Sequence, residues 1–254
     1  MRGLQGKRII VAGGATGIGA ASAERLAAEG ARVTVGDVNL DGARATAGRI
    51  AQAGGTAIAV EFDLADEASV EALAGAAIAE FGGVDGLYNV GADLSATTLG
   101  RDSDLLTIDL DVWRRTFEVN LLGYARTCRA VMPHLLAQGG GVIVNTASGA
   151  ASGTLPNRPA YSNSKAGAVA LTRHIASRWG KEGIRANCVS PGLVMGETQK
   201  RQNDQQLQAQ ALQIVRSTRL GEPADLAAAV AFLFSDDAEW INGQIWSIDG
   251  GMTL

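Results

Sequence analysis

Residues 8–37 read RIIVAGGATGIGAASAERLAAEGARVTVGD, and the reading of this stretch decides the fold. It opens on a short apolar run, Arg8–Ala12, too short for a helix and rich in β-branched residues. Gly13 and Gly14 then break the run, and Gly17 and Gly19 follow at GxxxGxG spacing. From Ile18 to Glu29 the apolar residues fall at helical spacing, and Gly30 ends the pattern. A second apolar run, Arg32–Gly36, leads to Asp37. Strand, glycine turn, helix and strand make a right-handed βαβ unit.

The same alternation continues outward. Further apolar runs at Ala57–Phe62, Gly86–Val90, Val142–Thr146, Ala186–Val189 and Ile245–Ile248 read as strands. Most are apolar throughout, as expected of parallel strands covered on both faces. Helical patterns lie between them at Leu40–Ala53, Ala65–Phe81, Asp111–Gln138, Tyr161–Trp179 and Pro223–Leu233, with Pro133 expected to kink or break the long one. The pattern predicts an α/β protein with a doubly wound sheet. Nothing in the composition divides residues 1–254, so one domain is expected. Two stretches, Ala92–Thr107 and Leu193–Arg219, read as irregular. Both follow strand ends, where ligands bind in such sheets.

The charge pattern excludes some functions. The net charge is −4 and no run of Lys or Arg occurs, so nucleic-acid and anionic-membrane binding lack electrostatic support. The apolar run at Ile9–Ala12 is too short for a leader or a membrane span. Cys128 and Cys188 belong to no CxxC or Cys/His cluster, so buried free thiols, a reducing cytoplasm and no metal are expected.

The glycine turn suits a dinucleotide pyrophosphate. Gly13, Thr16, Gly17, Ile18 and Gly19 open the first helix, whose N-terminus offers free N–H groups and the positive end of its dipole. Asp37, 20 residues after Gly17, is placed to accept the adenine-ribose hydroxyls and to repel a 2′-phosphate, which points to NAD. The alternative is that it caps the following helix. Asp63 and Leu64 after the third strand, and Asn89, Val90 and Gly91 after the fourth, are candidate cofactor contacts or ordinary strand-end turns.

Tyr161 and Lys165 share a helix face, four residues apart. An ammonium beside a phenol favours the phenolate, so Tyr161 is a candidate acid/base. Ser148, 13 residues before Tyr161, can donate to a substrate oxygen or simply serve a turn. Asn120, inside the long helix, can reach Lys165 through water or fill a structural role.

Taken in order, Gly13-xxx-Gly17-x-Gly19, Asp63, Asn89-Val90-Gly91, Asn120, Ser148, Tyr161-xxx-Lys165, Pro191-Gly192 and the closing Asp249-Gly250-Gly251 make the chain resemble the short-chain dehydrogenase/reductase superfamily from Leu4 to Met252. The resemblance implies a Rossmann fold with seven parallel strands in the order 3-2-1-4-5-6-7 between helix layers. It implies Tyr161 as acid/base and Ser148 orienting the substrate. It gives Lys165 to lowering the Tyr161 pKa and to the nicotinamide ribose, and Asn120 to the water of a proton relay. Pro191 and Gly192 would line the nicotinamide, and the Val194 backbone would bind its carboxamide. A homotetramer through Asp111–Gln138, Tyr161–Trp179 and the C-terminal segment is also implied.

Two departures from the family stand out. Tyr88-Asn89-Val90-Gly91 replaces Asn-Asn-Ala-Gly, and Gly196 stands where a threonine is common, with Thr198 two residues later. The expected substrate is a small neutral secondary alcohol or ketone held by Gly149, Ala150, Leu155, Asn157, Leu193 and Met195, with Arg158 as the one charge nearby. A cofactor-binding regulator or scaffold on the same fold is the alternative.

Overall fold

A computed structural model describes residues 1–152, 156–196 and 205–253. Leu155 and Thr198, both named above, lie outside the described residues. The strands are β1 (Arg8–Ala12), β2 (Arg32–Asp37), β3 (Thr56–Glu61), β4 (Gly86–Asn89), β5 (Gly141–Thr146), β6 (Ile184–Pro191) and β7 (Ile245–Ile248). They form one seven-stranded sheet in the order β3-β2-β1-β4-β5-β6-β7, with every pairing parallel.

The helices are α1 (Gly17–Ala28), α2 (Leu40–Gln52), α3 (Glu67–Phe81), α4 (Leu110–Phe117), α5 (Gly123–Ala137), α6 (Pro159–Trp179), α7 (Gln205–Ile214) and α8 (Pro223–Phe234). They cover both faces. Leu73 of α3, Val131 and Leu135 of α5 and Ile175 of α6 pack with Ile10, Leu87 and Ile143 of the strands. Leu26 of α1, Ile50 of α2 and Val230 of α8 pack with Val11, Val35 and Val144 on the other face. Burial of both faces accounts for strands that are apolar along their length.

Chain order reverses across the sheet at β1 and β4. After β1 the sequence runs to β2 on one side, and after β3 it returns to β4 on the other. The C-terminal ends of β1 and β4 therefore flank an opening in which ligands bind in such sheets. The Val90 and Gly91 N–H groups both reach back to the Ala12 carbonyl, at 3.0 and 2.8 Å, and close the floor of that opening.

Two expectations are corrected. The long helix is not broken at Pro133, which sits inside α5. Its α-helical bonding changes at Glu118–Leu122, a single π-helical turn between α4 and α5. One extra residue in a turn is absorbed without a proline, and such turns gather at functional sites. Leu193–Arg219 is also not wholly irregular, because α7 forms within it from leucine, alanine and glutamine, all good helix formers. The Ala92–Thr107 stretch holds only a short 3-10 turn at Leu99–Arg101.

Candidate active site

The glycine turn is fixed by packing as well as by ligand chemistry. Gly13 adopts φ +106°, and a Cβ there would stand 2.3 Å from the Gly91 nitrogen. Gly19 is buried against the Gly13 carbonyl. Gly17 differs, since it takes φ +55° with open space around its Cβ position. Thr16 is the N-cap of α1 in extended backbone and makes no side-chain cap, and Ile18 is partly buried. The exposed N-terminus of α1 thus faces space that a backbone-hugging anion can enter.

Asp37 stands at the end of β2 and reaches this turn. Its Oδ2 accepts the Ala15 N–H at 2.9 Å and its Oδ1 accepts the Asn39 N–H at 3.0 Å. The cap of α2 is Asn39, whose side chain accepts from Gly42. The capping alternative for Asp37 is therefore taken by another residue. Its neighbours Gly36 and Val38 bring no cation to it.

The other expected cofactor residues line the same edge. The Asp63 carboxylate accepts the Ala65 N–H at 2.8 Å, two residues beyond β3. Leu64 is buried and lies against Gly91 and Gly123. Asn89 is buried at the end of β4 and donates to Asn145 Oδ1 at 2.9 Å. Pro191 ends β6, and the Gly192 N–H reaches the Ile248 carbonyl at 3.2 Å. Val194 pairs with Gly221 in an isolated bridge.

Ser148, Tyr161 and Lys165 converge past the end of β5. Lys165 is 1% exposed, and its ammonium donates to the Thr146 carbonyl at 3.0 Å. The Lys165 Nζ lies 5.9 Å from the centre of the Tyr161 ring. Burial pushes the Tyr161 hydroxyl above its ordinary value, and the neighbouring Ser148 hydroxyl and Arg158 guanidinium pull it back. Burial lowers Lys165 itself to about 8.

Asn120 sits in the π-turn and is fully buried. Its Oδ1 accepts the Asp93 N–H at 2.9 Å, and its Nδ2 has no hydrogen-bond partner among the described residues. A buried amide with an unused donor is uncommon and marks a place for a further polar group.

Several residues that sequence reasoning missed also shape the site. The hydroxyl of Tyr124 receives a hydrogen bond from Lys165 Nζ at 3.3 Å. Asp102 accepts the N–H groups of Ala160 and Tyr161 at the start of α6. Met252 crowds the pocket wall, since a Cβ on Gly149 would stand 2.8 Å from its Cε. Helical spacing from Asn120 offered a signal for Tyr124. The other two contacts are long-range and left none.

A separate cavity of about 760 Å³ lies at the opposite, N-terminal edge of the strands. Arg2, Lys7 and Arg8 there are paired with Asp237, Asp236 and Asp85, and the Arg185 guanidinium donates to the Leu233 and Ser235 carbonyls. Cys128 and Cys188 are buried free thiols, raised by burial to about 12 and about 11. Among the described residues no cluster of His, Cys, Asp or Glu can hold a metal, and no helix is long and apolar enough to cross a membrane.

Fold and site together define a class: a doubly wound α/β protein with a glycine turn after β1 and a Ser-Tyr-Lys group beside it. A family model described as Enoyl-(Acyl carrier protein) reductase matches residues 13–253. D-threitol dehydrogenase of Mycolicibacterium smegmatis is 38% identical over 251 residues, 99% of this chain and 94% of that protein. The 7alpha-hydroxysteroid dehydrogenase of Bacteroides fragilis is 34% identical over 254 residues, 100% of this chain and 97% of that protein. A solved 7 alpha-hydroxysteroid dehydrogenase complexed with NADH and 7-oxo glycochenodeoxycholic acid matches with a TM-score of 0.90 at 35% identity, over 98% of this chain and 94% of that one. Levodione reductase matches with a TM-score of 0.90 at 30% identity, over 97% of each chain. The chain belongs to the short-chain dehydrogenase/reductase superfamily and is an oxidoreductase of that family.

Proposed function

We propose that this protein is an NAD-dependent oxidoreductase that interconverts a neutral secondary alcohol and its ketone, with Tyr161 as acid/base. The observation that carries the reading is the meeting of Tyr161, Ser148 and Lys165 at the C-terminal edge of β5, beside the opening flanked by β1 and β4. The relatives are dehydrogenases and reductases, and one solved relative is a complex with NADH.

The residues present fit the cofactor. The open face of Gly17 and the uncapped α1 N-terminus suit a pyrophosphate. The Asp37 carboxylate suits a ribose diol and opposes a phosphate on it. When bound, the nicotinamide would supply a hydride acceptor in its oxidised form, NAD, and a hydride donor in its reduced form, NADH.

The protein's own groups manage the oxygen. Tyr161 donates its proton to the carbonyl oxygen in reduction and removes the hydroxyl proton in oxidation. Ser148 donates a hydrogen bond to the same oxygen and polarises the carbonyl. Lys165 holds positive charge near Tyr161 and stabilises the phenolate when it forms. Because burial raises the Tyr161 pKa, the resting side chain is protonated at neutral pH and is ready to act as an acid.

The described pocket walls support an uncharged substrate. Gly149, Ala150, Leu193 and Met195 carry no charge, and the C-terminal Met252 adds apolar surface. Arg158 is exposed at the helix entrance, where a left-handed backbone (φ +62°) holds it. Residues 1–254 work as one domain in this reading, with about 193–219 as its substrate loop. The exposed Leu110, Leu122 and Trp240 are surfaces for the homotetramer, and the two free thiols suit a cytoplasmic setting.

The test is a 340 nm screen with NAD and NADH over diverse secondary alcohols and ketones, D-threitol included, with Tyr161→Phe alongside. Turnover that Tyr161→Phe abolishes is expected. NADH binding without turnover across the panel would instead favour a regulator or scaffold.

A further inference from the structure

The Lys165 ammonium does not stand free beside Tyr161. It lies between two tyrosines, 5.0 Å from the ring centre of Tyr124 and 5.9 Å from that of Tyr161. Two of its three donors are taken, one by the Thr146 carbonyl at 3.0 Å and one by the Tyr124 hydroxyl at 3.3 Å. Tyr124 is 0% exposed. A phenol buried to that degree needs a polar partner, and Lys165 is the one it meets.

The backbone is arranged to make this contact. Tyr124 stands in the first turn of α5, directly after the π-turn at Glu118–Leu122. Each residue turns an α-helix by about 100°, so the extra residue of the π-turn sets the face on which Tyr124 emerges. A buried polar chain then holds the helices at fixed separation. Thr127 of α5 bonds to Asn89 of β4 at 2.7 Å. Asn89 donates to Asn145 of β5, and Asn145 donates to Thr172 of α6, each at 2.9 Å. Tyr124 lies one turn from Thr127, and Lys165 lies on the helix that carries Thr172.

We infer that Tyr124 is a positioning residue for the proposed reaction, its hydroxyl fixing the Lys165 ammonium in place beside Tyr161. The inference rests on the reading of Tyr161 and Lys165 given above. A hydrogen bond to the ammonium also favours its charged form, against the burial that has brought Lys165 down to about 8. The titratable groups around this pair are Tyr88 of β4, Cys128 of α5, Tyr161 of α6 and Cys188 of β6, with no carboxylate among them.

Tyr124→Phe removes the hydroxyl and keeps the ring. The chain has only Lys7, Lys165, Lys181 and Lys200, so protein labelled with [ε-13C]lysine gives four signals, and Lys165→Met identifies the one of interest. In ligand-free protein, Tyr124→Phe is expected to lower the Lys165 titration midpoint by at least half a pH unit and to leave the other three unmoved. An unmoved Lys165 midpoint overturns the inference.

With NAD and the best substrate of the screen, kcat is expected to fall about tenfold with KM within twofold. A kcat within twofold of wild type also overturns it. Urea denaturation of the double variant with Lys165→Met separates a general structural role. Non-additive changes in stability support the contact, and fully additive ones overturn it. Should Tyr161→Phe keep wild-type activity, the acid/base reading falls, whereas the lysine titration still reports on Tyr124 alone.

Discussion

The Asp102 carboxylate accepts the backbone N–H of Tyr161 at 2.7 Å across 59 residues of sequence. It also accepts the Ala160 N–H at 3.2 Å, so Asp102 caps α6 from outside the helix. The local N-cap residue, Arg158, has no capping side chain and sits in left-handed backbone. Tyr161 therefore takes its position from a buried acid in the stretch that follows β4. Asp102→Ala removes the cap and leaves two N–H groups unpaired. Caps are worth about 1 kcal/mol, and orphaned buried donors add to that, so a loss of about 2 kcal/mol in urea denaturation is expected. The kcat of the proposed reaction should fall with it, and Asp102→Asn, which keeps one acceptor but turns an NH2 toward the other N–H, should recover only part of both.

Asp37 gives the cofactor preference a test. Asp37→Ser removes the charge that opposes a ribose phosphate and weakens the hold on the Ala15 N–H. The expected result is at least a tenfold fall in kcat/KM for NAD with a rise for NADP, a change of about 1.4 kcal/mol or more in preference. An unchanged ratio of the two in steady-state kinetics would count against the ribose role.

Two glycines of one turn should fail in different ways. Gly13→Ala places a Cβ against the Gly91 backbone at positive φ, and a stability loss of about 2 kcal/mol or more is expected from urea denaturation. Gly17→Ala meets no atom of the protein, so only the left-handed backbone is strained, by about 1 kcal/mol. Its methyl instead fills the space offered to the cofactor. The Gly17 variant should stay folded yet lose NADH affinity in fluorescence titration, and the reverse outcome would place the pyrophosphate elsewhere.

The pH dependence follows from two buried groups. Lys165 has its pKa lowered to about 8 by burial, so the folded state holds fewer protons on it than the unfolded state between about pH 8 and the usual lysine value of about 10.4. Its burial cost is fully present below pH 8 and disappears as pH rises through that window. The stability advantage of Lys165→Met over wild type should accordingly shrink with rising pH, by up to about 3 kcal/mol. Urea denaturation of both proteins at pH 7, 8, 9 and 10 measures it.

Tyr161 works in the opposite sense. Its raised pKa keeps the proton on, so reduction of a ketone should hold its kcat/KM from pH 6 to 8. Oxidation of the alcohol needs the phenolate, and its kcat/KM should climb through pH 7 to 9. Initial rates in both directions decide this, and an oxidation rate that falls over that range would remove Tyr161 as the base.

Much of this protein is written locally. Apolar runs, helical spacing and glycine breaks depend on neighbours a few residues away, so the strand set, the helices on both faces and the GxxxGxG turn were legible in the chain itself. The Tyr161-xxx-Lys165 spacing was legible for the same reason, since one helix turn brings both side chains to one face. What the fold alone decided are contacts between distant segments. The long helix changes its bonding in a π-turn at Glu118–Leu122 and runs on through Pro133. Lys165 spends its hydrogen bonds on Thr146 and Tyr124, 19 and 41 residues away, and Tyr161 is anchored by Asp102. No local pattern encodes these pairings, because they arise only when separate strands and helices pack and bring polar groups from distant segments side by side.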